Sequence, residues 1–204
     1  MNRFLVCIVC GAVLVGPAAL AGAAPIVDQM QPDAAETLAT FGQSDLAQSF
    51  QQTNNNIAGA GIFIAPSTVP PVNATISVWD MLPNQPGAVM LASGSGSIVP
   101  GGFFDVFWTP VAISPGVTHY LTFAAPGSLY DLKGRTANVY PLGNAYINAG
   151  YVAFPNYDYS FRTYYEPVPE PMTWAMLVAG LGGLYSTRML RRFTRKPAQT
   201  RLAV

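Results

Sequence analysis

Two hundred and four residues with ten basic and ten acidic side chains give a formal net charge of zero, and only 10 % of the chain is charged. An average soluble domain carries about 25 % charged residues, and 19 glycines and 18 prolines exclude a body built of long helices. The zero also hides unlike parts: residues 24–166 hold nine acids and three bases, a net of −6, while everything from Arg188 onward holds six bases and no acid. An acidic body repels phosphate backbones, which excludes nucleic acid as its expected partner.

In chain order, Arg3 is the one charge ahead of an apolar run from Phe4 to Leu20. Ala21-Gly22-Ala23 follows, small residues at the spacing a signal-peptidase pocket accepts. Residues 1–23 therefore read as a secretory signal peptide cut after Ala23, with Ala21 and Ala23 as cleavage determinants. Cutting one residue later would put Pro25 first in the mature chain. Pro17 interrupts the leader helix ahead of the site, which argues against an uncleaved anchor. Cys7 and Cys10 both lie in this leader, too early for a lipoprotein site, so the mature chain has no disulfide, no cysteine metal ligand and no thiol nucleophile.

Residues 24–45 are polar without periodicity and read as a leader or first edge segment. The domain proper is expected over 46–166, roughly the size of one domain. Short apolar or alternating runs recur there at 46–51, 61–65, 75–79, 89–93, 103–109, 119–123, 151–154 and 157–164, separated by Pro, Gly and Asn turns. Eight such runs predict an all-β fold, an antiparallel β-sandwich or jelly roll. In the run at 75–79, Ile76 and Val78 face one way and Thr75, Ser77 and Trp79 the other. In the run at 103–109, Phe104, Val106 and Trp108 oppose Phe103, Asp105 and Phe107. Only Asp105 is polar among those six, which predicts a central strand. No internal repeat of 20 to 50 residues is visible.

Chemistry-bearing patterns are sparse in this body. His119 is the one histidine of the chain, and no G-x-S-x-G elbow accompanies it, so a serine hydrolase is not expected. Gly94-Ser95-Gly96-Ser97 lacks the lysine and helix of a phosphate loop. One histidine without mature cysteines excludes an ordinary zinc site. The acids are spread along the chain, which disfavours a glycosidase pair. Asp28, Asn55, Asp131 and Asp158 are candidate ligands of a structural calcium ion, although no D-x-D-x-D-G loop occurs. No catalytic, metal-binding or cofactor-binding residue is assigned, and the body is expected not to be an enzyme. Nine of the ten tyrosines fall between Tyr120 and Tyr165, many beside Asn or Gly. Aromatic rings stack on the apolar faces of sugars while amides bond their hydroxyls, so Tyr140, Tyr146, Tyr151 and Tyr157 are candidate glycan contacts. The competing explanation is that tyrosine simply suits a half-buried sheet.

The chain ends with a tail over 167–204. Met172 to Thr187 is uncharged over sixteen residues, about 24 Å as a helix. Snorkelling by Arg188 extends it to a membrane span over 172–190, close to the ~30 Å hydrocarbon core. Trp174 sits where an interfacial indole is favoured, and the bases from Arg188 through Arg191 and Arg192 to residue 204 stay cytoplasmic. That orientation places 24–166 outside the membrane. Val168-Pro169-Glu170-Pro171, the apolar span with Trp174 near its start, and then Arg191-Arg192 resemble the PEP-CTERM sorting signal of Gram-negative bacteria. The match covers about the last 30 residues, and twelve residues follow Arg192. The resemblance implies transient anchoring at the inner membrane, recognition of the Pro-Glu-Pro motif by an exosortase, and release to the cell surface or extracellular polysaccharide. The same tail is also known as an ice-binding protein C-terminal region. Proline fixes φ and lacks an N–H, so the Pro-x-Pro segment stays extended, the form a protease grips.

The body carries a second resemblance. Asp28-Gln29, Ala47-Gln48-Ser49-Phe50, Leu91-Ala92-Ser93-Gly94-Ser95, the segment from Ser114 to Tyr120 and that from Asp158 to Tyr164 occur in the order of a jelly-roll "choice-of-anchor" module of bacterial surface proteins. It implies the fold and no active site. The expected function is an exported surface or matrix protein with a structural or adhesive body, whose partners are signal peptidase, an exosortase-type protease, the inner membrane and extracellular polysaccharide. The alternatives are a carbohydrate-binding module, an ice-binding module, for which the threonines lack a regular period, and an exported hydrolase.

Overall fold

The computed structural model describes residues 23–167. Within them run thirteen strands: β1 (Ile26–Gln31), β2 (Glu36–Thr40), β3 (Leu46–Gln51), β4 (Asn56–Ile64), β5 (Asn73–Trp79), β6 (Met90–Ser97), β7 (Gly102–Ala112), β8 (Thr118–Ala124), β9 (Asp131–Arg135), β10 (Ala145–Ile147), β11 (Val152–Phe154), β12 (Asp158–Tyr159) and β13 (Phe161–Tyr165). They form two antiparallel sheets. The seven-stranded sheet follows the path β1-β13-β4-β9-β12, with β7 added on β4 and β2 on β9. The six-stranded sheet has the order β11-β10-β3-β8-β5-β6.

The inward positions of the two sheets make one core. Ile57, Ile62, Ile64, Leu132, Tyr159 and Phe161 from the larger sheet meet Phe50, Ile76, Val78 and Leu121 from the smaller, all fully buried. Removing each such side chain from water contributes roughly 1.5–3 kcal/mol. Rings cross the interface edge-on, as where Phe123 of β8 meets Tyr159 of β12 with centroids 5.6 Å apart. β6 alternates serine and glycine: its glycines face inward, and Gly94 lies over Val106 and Trp108 of β7, so the sheets approach closely at this edge.

The structure departs from the sequence reading in several places. Of the two readings of residues 24–45, the structure fits the first edge segment and not the leader: β1 pairs with β13 at the edge of the seven-stranded sheet, and β2 pairs with β9. β9 and β10 were not foreseen. The run at 157–164 is two strands that hand over at Ser160, whose N–H bonds Lys133 while its carbonyl accepts from Phe63. The expectation that 103–109 is central is corrected, because β7 pairs with β4 alone. Its two apolar faces have another cause. Phe104 and Val106 are buried against β6, while Phe103, Asp105 and Phe107 build a cluster on the sheet's outer face.

That cluster depends on β4. Gly61 stands in register between Asp105 of β7 and Arg162 of β13, and Gly59 between Phe107 and Tyr164. With no side chain on the middle strand, the flanking side chains meet over it. Arg162 Nε donates to Asp105 Oδ1 at 2.7 Å, and the Tyr164 hydroxyl donates to the same oxygen at 2.9 Å. The Phe107 and Tyr164 rings are 4.9 Å apart. The carboxylate holds the Arg162 guanidinium above its ordinary value, and burial raises the Tyr164 phenol. A Cβ on Gly61 would collide with the Asp105 carboxylate. Gly61→Val is therefore expected to separate the ion pair and cost about 2 kcal/mol in a urea unfolding series, whereas Gly102→Val, whose Cβ meets nothing, stays near wild type.

Candidate functional site

The two ends of the body leave from one place. Ile26, near the start of β1, is in register with Tyr165 at the end of β13. Beyond Tyr165 the pairing is continued by a side chain: the Glu166 N–H donates to Asn56 Oδ1 at 2.9 Å and Asn56 Nδ2 donates to the Glu166 carbonyl at 2.9 Å. Asn56 thus imitates a strand neighbour and ties down the last residues of the fold. Ala23 is the first described residue, three before β1. Ala21 and the rest of the expected signal peptide, the motif Val168-Pro169-Glu170-Pro171, the expected span 172–190 with Trp174 and Arg188, and the bases Arg191 and Arg192 lie outside the described residues. Among the described residues no helix is long and apolar enough to cross a membrane.

The four candidate tyrosines do not form one surface. Tyr140 is buried, its ring edge-on to Phe161 at 5.0 Å. Its hydroxyl donates to Gln29 Oε1 at 3.0 Å and accepts from the Gln51 N–H at 3.3 Å, so this ring belongs to the packing and is enclosed. Burial raises its phenol above the ordinary value. Tyr157 is stacked on Phe154, with centroids 5.4 Å apart. Tyr151 occupies the β10–β11 turn at positive φ, where burial and then Asp45 raise its phenol. Tyr146 lies on β10, edge-on to Tyr120 of β8 at 5.8 Å.

Sequence reasoning missed the partners of Tyr146. On the outer face of the six-stranded sheet, Tyr120 is in register with Trp79 of β5, whose indole N–H donates to Thr122 Oγ1 at 3.1 Å. Burial raises the Tyr120 phenol, with Tyr146 adding to the effect. Thr75 and Ser95 face each other across β5 and β6, with hydroxyl oxygens 2.7 Å apart. The β5–β6 loop reaches past β8 and β3, where Asn84 Nδ2 donates to the Gly150 carbonyl in the β10–β11 turn at 2.9 Å. The alternation of Thr75, Ser77 and Trp79 signalled this face; nothing in the sequence signalled that Tyr120 and Tyr146 join it.

The calcium candidates are not gathered. Asp28 on β1 accepts from the Thr53 and Asn54 N–H groups at 2.7 and 3.2 Å. Asn55 sits in the loop before β4, Asp131 opens β9, and Asp158 is 1 % exposed on β12. Among the described residues no group of three or more His, Cys, Asp or Glu side chains is placed to hold a metal ion. His119 lies near the start of β8, between β3 and β5. It is buried beside Phe50, with Nδ1 2.9 Å from the Val117 carbonyl.

Asp158 instead anchors a buried polar seam between the sheets. Its Oδ2 accepts from the Val139 and Tyr140 N–H groups at 3.0 and 2.9 Å, and Oδ1 accepts from Gln48 Nε2 at 3.1 Å. Gln48, itself fully buried, accepts from the Tyr159 N–H at 2.9 Å. Gln52 extends the seam, accepting from Thr163 Oγ1 at 2.8 Å. Burial raises the Asp158 carboxyl above its ordinary value, against the three donors that lower it. The bonds of Asp158, Gln48 and Gln52 join strands to one another and to the β9–β10 loop, so the seam reads as structure rather than chemistry. Comparison with protein-family models, curated proteins and solved structures gives no match to this chain.

Proposed function

We propose that the chain is an exported bacterial surface or matrix protein, delivered by its tail and carrying a non-catalytic β-sandwich, of the jelly-roll type, as cargo. The observation that carries this reading is the order of parts at the C-terminus. Pro169-Glu170-Pro171, sixteen uncharged residues and an arginine cluster follow the body with almost no linker. Supporting it, leader and tail join the body at one pole, where β1 runs beside β13. A body held at the membrane by either end then presents the same opposite face outward. The mechanism is placement: export through the leader, anchoring by the span, then peptide-bond hydrolysis at the motif by an exosortase-type protease.

Glu170→Ala, or replacement of Pro169 and Pro171 by alanine, is expected to leave the protein in the inner membrane at full length, read by fractionation and immunoblot. Release at the normal rate from these variants would defeat the reading.

A further inference from the structure

Charge is divided sharply between the two sheets. The strands of the six-stranded sheet contain no Asp, Glu, Lys or Arg, and every charged strand residue among the described residues belongs to the other sheet. The outer face of the uncharged sheet is nonetheless polar. β6 turns its serines outward because its glycines must face β7. Thr75 and Ser95 form a hydroxyl pair, and Thr122 holds the indole of Trp79. Tyr120 and Tyr146 continue the aromatic row toward β10. In such a sheet, groups repeat about 6.8 Å along a strand and about 4.8 Å across strands.

We propose that this face, carried by Trp79, Tyr120, Tyr146, Thr75, Ser95 and Thr122, binds a neutral polysaccharide. The proposal deepens the delivery reading by naming what the body meets outside. Hydroxyls both donate and accept, which suits a ligand made of hydroxyls. Aromatic faces cover the C–H faces of pyranose rings. A face without charge offers nothing to a phosphate or carboxylate, and the body's net charge of −6 over 24–166 repels anionic glycans. Thr75 and Ser95 border the aromatic row at the β5–β6 edge of the face and Thr122 lies within it, so a sugar stacked on the rings has hydroxyl partners beside it.

The test is native affinity electrophoresis of the full-length chain, kept in a polyoxyethylene detergent, through gels cast with hydroxyethylcellulose, dextran or alginate. Retardation is expected in at least one neutral gel and not in alginate. Ser95→Lys puts a charge on an exposed edge-strand position and is expected to weaken binding roughly tenfold or more. Trp79→Ala is expected to do the same. Phe107→Ala, on the other sheet's outer face, should bind like wild type. No retardation in either neutral gel, retardation in alginate alone, retention by Ser95→Lys, or loss in Phe107→Ala overturns the proposal. Each of these results leaves the delivery reading standing, because release is read in cells from the fate of the tail.

Discussion

Replacing Asp158 by alanine is expected to lower the unfolding free energy at neutral pH by about 3 kcal/mol. Three N–H groups lose their acceptor: the buried backbone of Tyr140 and side chain of Gln48, and the partly buried backbone of Val139. Each orphaned donor costs about 1–3 kcal/mol, offset in part because a buried carboxylate also disappears. Gln48 cannot rescue the site by turning its amide, since its carbonyl oxygen is held by the Tyr159 N–H. The pH dependence has a definite sign. The folded state raises the Asp158 carboxyl above 3.8, so the folded protein holds the proton more tightly than the unfolded chain. That contribution is complete below the unfolded value and is lost as pH rises through the folded one. The gap between wild type and Asp158→Ala should therefore be wider at pH 4 than at pH 7 in urea titrations followed by tryptophan fluorescence. A gap under about 0.5 kcal/mol, or one that widens toward neutral pH, would show that Asp158 does not organise the seam.

Phe161→Ala is expected to cost more, about 3–5 kcal/mol. Phe161 is fully buried at the start of β13, in register with Gln31 of β1 on one side and Ile62 of β4 on the other. Its ring also supports the edge of Tyr140, whose hydroxyl ties Gln29 to the end of β3. A cavity there loosens three strands and the tyrosine together. Since stabilities of single domains lie near 5–15 kcal/mol, the variant should be close to unfolding at 37 °C. Phe107→Ala removes the same ring from a position that is 53 % exposed and is expected to cost under about 1 kcal/mol. Equal losses in the two variants, measured by thermal melting, would contradict the assignment of Phe161 to the core.

The strongly alternating strands were legible in the sequence, and 46–51 coincides with β3 in full. The elements that escaped did so for physical reasons. β9, Asp-Leu-Lys-Gly-Arg, buries Leu132 and Gly134 while its charged residues point outward, so one apolar side chain is its whole signal. β10 is three residues long and takes its stability from pairing with β3 and β11. β1 was hidden because Gln29 and Gln31 are bonded inside a polar seam that hydropathy reads as solvent. β7 misled because an edge strand can be apolar on both faces when glycines on β4 and β6 let other groups pack against it. For the ligand face, period-two alternation announced Thr75, Ser77 and Trp79. Clustering in sequence pointed to tyrosines that the fold then separates, burying Tyr140 and stacking Tyr157 on Phe154.

Delivery to the outside through a removable tail is tested most directly by the intact mass of the protein recovered from the outer surface or medium of cells that express it. The prediction is a chain that begins at Ala24 and ends within 168–171, with external protease able to digest 24–166 on intact cells. A full-length chain retaining its leader in the cytoplasm, or a body that protease cannot reach from outside, would contradict it.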